Sequence, residues 1–195
     1  MLPHLITTRL ELRPATPDDL DTLWALWAAP EVRRFLFDDV PVTRARAAEV
    51  LGYCLQAAEA GLGLWVARPR DAKTVIGCVG LMAASTAAQY DPHLVGAVEP
   101  LAAFVPAEWG HGYATEALAA VVRYAFEPLG LSQLAAVNDV PNGASARLLR
   151  RLGFAVTGEC EGPRYRLHTY ALSREQLRPN QALHRTLDSA GKRGR

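Results

Sequence analysis

Apolar and polar positions alternate at two different periods along this chain, and the switches between them mark its elements. Leu5 to Arg13 alternates, with Leu10 and Leu12 opposed to Arg9, Glu11 and Arg13, which predicts a half-buried first strand. Thr16-Pro17-Asp18-Asp19 then forms a helix start: a capping threonine, a proline in the first turn and acids at the positive end. Leu20, Leu23, Trp24 and Trp27 follow at helical spacing, and Pro30 is expected to stop that helix. Thr43 is placed to cap a second helix that carries Val50, Leu51, Cys54, Leu55 and Ala58 and ends before Gly61 and Gly63. Leu64 to Ala67 and Val75 to Leu81 read as strands, with Arg70-Asp71-Ala72-Lys73 as their hairpin connection.

Residues 84–94 read as a loop, and Val95 to Val105 as a fourth strand region. Pro100 interrupts it, which predicts an edge, a bulge or a break there. Next comes Trp109-Gly110-His111-Gly112-Tyr113-Ala114-Thr115, followed by Leu118, Val121, Val122 and Ala125 on one helical face, ending near Pro128 and Gly130. Leu134 to Val137 is a short fifth strand, Asn142 caps a helix running to Leu152, and Gly153 stops it. Phe154 to Glu159 and Arg164 to Leu172 close the pattern as two strands. The order is that of one mixed α/β domain.

The turn at residues 109–115 has two readings. A glycine-rich turn between strand and helix leaves backbone N–H groups unpaired and converging, with the helix dipole behind them, which suits a phosphate or pyrophosphate. It can also be an ordinary tight turn in which glycine supplies unusual backbone angles. Asn142-Gly143-Ala144-Ser145 opens the next helix after one intervening strand, and its asparagine can cap that helix or turn toward a ligand between the two strands.

Composition narrows the class without naming a chemistry. The 195 residues are 50% hydrophobic and 21% charged, a globular profile with room for one buried core. No apolar run is long enough to span a bilayer, and Met1-Leu2-Pro3-His4 lacks the basic start of a secretory signal. Cys54, Cys78 and Cys160 are odd in number and widely spaced, which predicts free thiols in a reducing cytoplasm rather than disulfides. The histidines show no ligand spacing, so no metal is expected. Net charge is +1, with the positive excess after Arg174, so residues 1–173 are mildly acidic: no DNA partner is expected, while a cationic acceptor is tolerated. Residues 174–195 read as a basic, polar and flexible tail.

Taken with the stretch Thr7–Leu36 and with Arg147–Phe154 (RLLRRLGF), these features resemble the GNAT superfamily of acetyl-CoA-dependent N-acetyltransferases, in the branch containing the ribosomal-protein N-terminal (Rim-type) enzymes. The resemblance covers residues 5–173. It implies a largely antiparallel sheet of about six or seven strands, splayed between the fourth and fifth, with about four helices. The family's phosphate-binding pattern, Gln/Arg-x-x-Gly-x-Gly/Ala, is matched at Gly112 and Ala114, while Trp109 stands at its first position as a branch marker. The resemblance therefore implies coenzyme A held by Gly110, His111, Gly112, Tyr113, Ala114 and Thr115. It adds the main chain of Phe104 and Val105, then Asn142 and Ser145.

Catalysis by resemblance falls to Glu99, an acid on the fourth strand suited to be the general base, and to Ser145, whose hydroxyl can bond the leaving thiolate or relay a proton. Glu99 can equally be a strand-surface carboxylate, and Ser145 a first-turn residue bonding backbone. The tyrosine that many members place seven residues after the asparagine is Leu149 here. Phe35 to Asp39 and Cys160 to Arg164 are the loops where such folds bind acceptor, and Asp38 and Asp39 can attract a cationic amine. The acceptor stays open among a protein N-terminus, a small-molecule amine and an amine-bearing antibiotic. A catalytically idle acyl-CoA-binding sensor is the alternative of a different class. Oligomeric state is also open, a homodimer included, with the 84–94 loop and the last strands as contact surfaces.

Overall fold

The computed structural model describes residues 1–84 and 87–177. Its strands in chain order are β1 (Leu5–Ile6), β2 (Leu10–Pro14), β3 (Gly63–Pro69), β4 (Gly77–Ala83), β5 (Val98–Phe104), β6 (Gln133–Asp139), β7 (Ala155–Cys160) and β8 (Leu167–Ser173). The α-helices are α1 (Leu20–Ala28), α2 (Pro30–Leu36), α3 (Arg44–Ala57), α4 (Tyr113–Phe126) and α5 (Gly143–Arg151). Strands β1-β2-β3-β4-β5 form one five-stranded antiparallel sheet, and β6-β8-β7 a separate three-stranded one. The break falls between β5 and β6, the fourth and fifth strand regions of the sequence, where the splay is expected.

Two sides of the first sheet are filled by alternate residues of the same strands. Trp65 and Ala67 of β3, with Leu10, Leu12, Val79 and Leu81, pack against Leu118, Val121, Val122 and Ala125 of α4. Leu64 and Val66 turn the other way, with Cys78, Met82 and Ala103, toward Leu23 and Trp27 of α1 and Leu51 and Cys54 of α3. Helix α4 thus covers one face and α1–α3 the other, and the open edge of β5 lies between the two layers. Trp27 and Trp65 are buried in these cores, and the Trp24 indole donates to the Val42 carbonyl.

Three local expectations change. The first strand is two, because Thr7 makes a turn: its N–H donates to the Leu10 carbonyl and its hydroxyl accepts the Leu10 N–H (2.9 Å each). Pro30 ends α1 but also opens α2, since extended Ala29 sets it at the first helical position, where its missing N–H costs nothing. That makes five α-helices among the described residues, one more than expected. Residues 84–94 contain two short 3-10 turns, Ala87–Gln89 and Pro92–Leu94. The caps at Thr43 and Asn142 form as expected, each oxygen accepting an N–H three residues on. Most of the basic tail lies outside the described residues; its first residue, Arg174, bonds the Leu131 carbonyl.

Candidate active site

Strand β5 presents a free edge to β6, and its register decides which groups face the gap. The Val105 N–H donates to the Ile76 carbonyl at 2.9 Å. By the alternation of an antiparallel ladder, residues 103, 101 and 99 then turn their main-chain groups toward β4, and 104, 102 and 100 turn theirs toward the gap. Pro100 sits opposite Leu81 at a non-bonded pair, so its missing N–H is no loss to the ladder. The proline marks an edge, without a break. Val105, expected to offer its main chain to a ligand, has its N–H held by Ile76 while its carbonyl accepts the Glu108 N–H. Phe104 offers only its N–H, since the Trp109 indole donates to its carbonyl at 2.7 Å. Ala102, which no motif singles out, turns both groups to the gap.

Glu99 lies near the start of this edge and bridges to the second sheet, its carboxylate accepting the Val137 N–H at 3.2 Å. It shares its face of β5 with Leu101 and Ala103, the face toward α1–α3. Desolvation pushes its carboxyl up to about 7, against the lowering effect of the Val137 bond. Glu99 is thus a partly buried carboxyl at the mouth of the strand gap.

The glycine turn forms at the far end of β5. Gly110 and Gly112 both take positive φ (+83° and +80°), a region that side chains disfavour, and Gly112 caps α4. The first helical bond runs from the Glu116 N–H to the Gly112 carbonyl, and among the described residues the amides of Gly110 to Thr115 donate to no protein acceptor. They form an open cradle at a helix N-terminus, which is what an anion needs. A Cβ on Gly110 would meet no atom within 4 Å. His111 stands exposed on the turn, its ring 6.0 Å from that of Tyr113.

Arg9, from the β1–β2 turn, braces this cradle and is invisible to motif reading. Its Nε bonds the buried Glu116 carboxylate at 2.6 Å, its Nη1 donates to the His111 carbonyl at 3.0 Å, and its guanidinium stacks 4.5 Å from the Tyr113 ring. Glu116 also accepts the Thr7 hydroxyl and the Arg9 N–H, both at 2.7 Å. The helix start is thereby locked to the first sheet, and a cation stands beside the amides.

At the next helix, the Asn142 side-chain oxygen accepts the Ser145 N–H at 3.1 Å, so the asparagine caps α5. The Ser145 hydroxyl is only half-buried and, among the described residues, bonds nothing. The alternative in which it bonds helix backbone is not what forms. Leu149 is buried in the core of the first sheet, so no acid comes from that position.

The two acceptor loops meet. Asp39, with φ +63°, pairs with Arg33 (3.3 Å) and with Arg164 (3.1 Å) of the β7–β8 loop, and Phe35 lies 6.4 Å from Tyr165. Desolvation would raise the Asp39 carboxyl, but the hydrogen bonds from Arg33 and Arg164 outweigh it and hold it below its ordinary range. Elsewhere, an open groove of about 450 Å³ runs between Tyr90–His93 and β7–β8, lined by Glu159, Cys160 and Thr169. Among the described residues no three His, Cys, Asp or Glu side chains group to hold a metal, and no helix is long and apolar enough to cross a membrane. All three cysteines are free; burial pushes the thiols of Cys54 and Cys78 up to about 11 and about 12, so neither is a nucleophile at neutral pH.

A splayed sheet, a free edge and an amide cradle at one helix are on this chain together, and residues 9–155 match the acetyltransferase (GNAT) domain family. The chain is a GNAT acetyltransferase. It is 31% identical over 159 residues to the uncharacterized N-acetyltransferase YoaA of Bacillus subtilis (strain 168), covering 81% of this chain and 86% of that one. It is 29% identical over 153 residues to the FsC-acetyl coenzyme A-N(2)-transacetylase of Aspergillus fumigatus, covering 77% and 64%. The crystal structure of RimL, a ribosomal alpha-N-protein acetyltransferase, shares the fold with a TM-score of 0.70 at 18% identity, over 89% of this chain and 95% of that one.

GNAT acetyltransferases generally use acetyl-CoA, and the unpaired groups of this chain fit that donor. The six amides from Gly110 to Thr115 suit a pyrophosphate, and the gap-facing N–H of Phe104 and both groups of Ala102 suit the amides of a pantetheine arm. The Asn142 oxygen caps its own helix, and the Val105 N–H pairs within its own sheet.

Proposed function

We infer that this chain moves the acetyl group of acetyl-CoA to a primary amine by direct attack, with residues 1–173 as the working domain. The observation that carries the reading is the pairing of an open amide cradle on α4 with Glu99 at the other end of the same unpaired strand edge. When bound, acetyl-CoA supplies the activated acetyl group. The cradle, braced by Arg9, holds its phosphates, and Ala102 and Phe104 orient the arm.

Glu99 accepts a proton from the acceptor ammonium. With its carboxyl near 7, a substantial fraction is ionised at neutral pH, and it still binds the proton firmly enough to pull. The base need not be strong for an α-amine, whose ordinary value is about 8, and matters more for a lysine-like amine near 10.4. The free Ser145 hydroxyl, at the start of α5, is the donor available to the leaving thiolate. No covalent enzyme intermediate is needed, since no activated cysteine adjoins these residues.

The test is thiol release from acetyl-CoA with a panel of amines, alongside calorimetric coenzyme A binding. Turnover on at least one amine supports the reading. Binding without turnover on any amine supports an acyl-CoA sensor instead, and failure to bind coenzyme A sinks both.

A further inference from the structure

Trp109 stands where the family's phosphate-binding pattern has Gln or Arg, and its ring serves neither the core nor the cradle. The residue is 50% exposed, whereas Trp27 and Trp65 are buried and Trp24 is partly so. Among the described residues it joins none of the apolar clusters, and its ring stacks on no other ring and no cation. Its one polar atom is nevertheless turned inward, the indole N–H donating to the Phe104 carbonyl at 2.7 Å. An indole fixed by its polar end, with its apolar face in the open, has area to give to a ligand.

Strand register says where that face lies. Phe104 sits opposite Gly77 at a non-bonded pair, so its carbonyl turns toward the gap beside β6. The indole that reaches this carbonyl therefore stands at the gap end of β5. A short 3-10 turn, Pro106–Glu108, brings it there, closed by the Trp109 N–H on the Pro106 carbonyl at 3.1 Å. Gly110 follows directly and opens the amide cradle, and a Cβ on it would meet no atom within 4 Å. Trp109 thus lies between the strand-edge groups of Ala102 and Phe104 and the amides of Gly110 to Thr115, beside open space.

The covalent order of coenzyme A runs the same way. Between its pyrophosphate and its first amide lies the pantoyl unit, whose quaternary carbon carries a pair of methyl groups and no charge. With the phosphates on the cradle and the amides on the strand edge, this apolar unit is the part that crosses between them. We propose that the exposed indole face of Trp109 is the contact surface for the gem-dimethyl group of the pantoyl unit, which makes Trp109 a cofactor-binding residue through its ring. This rests on the acetyl-CoA reading above. It also explains what replaces the Gln or Arg of the pattern. The indole keeps one donor, spends it on the Phe104 carbonyl, and adds an apolar face that neither of those side chains has. At this point the grip on the cofactor is burial of methyl groups, since the Phe104 carbonyl is already taken.

The experiment separates the ring from its N–H. W109F keeps an aromatic face and lacks the donor, while W109Q keeps a donor for the Phe104 carbonyl and lacks the face. By calorimetry, the Kd for coenzyme A is expected to stay within about threefold of the wild type in W109F and to rise about tenfold or more in W109Q. Transferred NOEs between the coenzyme A methyl protons and the indole protons are expected in the wild type and absent in W109Q, a signal that a merely structural indole does not produce. W109Q at wild-type affinity, W109F as weak as W109Q, or a wild-type complex without these NOEs overturns the proposal. Should W109Q fail to fold, which thermal melting reports, the wild-type NOEs decide alone. A wild type that binds no coenzyme A sinks the cofactor reading itself and this proposal with it, whereas binding without the ring contact sinks this proposal only.

Discussion

Replacing Glu99 by glutamine separates its chemistry from its structural contact, because the amide oxygen can still accept the Val137 N–H while the charge is gone. The carboxyl moves from its ordinary 4.5 to about 7 on folding, chiefly by desolvation, so the folded protein holds this proton where the unfolded chain has released it. Stability from this group is full below about 4.5 and is lost as pH rises through about 7. The shift corresponds to an upper bound of about 3 kcal/mol, since water reaching the half-buried carboxylate screens part of it. E99Q is therefore expected to melt close to the wild type at pH 4.5 and up to about 6–10 °C above it at pH 8. The same substitution should lower kcat/KM by about 10²–10⁴-fold and remove the limb near pH 7 from its pH profile. Melting curves at the two pH values, with kinetics across the range, check both halves. A wild-type melting temperature flat from pH 4.5 to 8, or an E99Q enzyme that keeps full activity, would refute the reasoning.

G112D should abolish calorimetric coenzyme A binding, because it forces a side chain onto a φ of +80° and puts an anion among amides placed for phosphate. E116Q should destabilise the fold by about 2 kcal/mol in urea unfolding, since the buried carboxylate takes three bonds from Thr7 and Arg9, and should weaken coenzyme A binding as the cradle loses its brace. S145A should lower kcat about tenfold while coenzyme A affinity stays within about twofold, as expected for losing one bond made to a developing charge; unchanged turnover would remove Ser145 from the mechanism.

Much of the site was legible because its signals are local. The positive-φ glycines and the caps at Thr43 and Asn142 each act within a few residues of themselves, and all form where the sequence places them. Asn142 shows the limit of local reading: its oxygen could cap or turn away, and the bond from the Ser145 N–H shows that it caps. Thr7 shows another, since a period-two pattern continues through a turn when a hydroxyl can satisfy the backbone.

Most of the element order and the glycine turn follow from the sequence alone, since periodicity, capping and glycine conformations are properties of short segments; the break in the sheet and the family come from the resemblance that the motifs carry together. Which groups meet across the fold is a matter of tertiary structure: Arg9 reaches across to Glu116, and Val105 turns its main chain away from the gap while Ala102 turns toward it. The physical reason is the same in each case. Strand register fixes which side every group faces, and a charge finds its partner among residues far away along the chain.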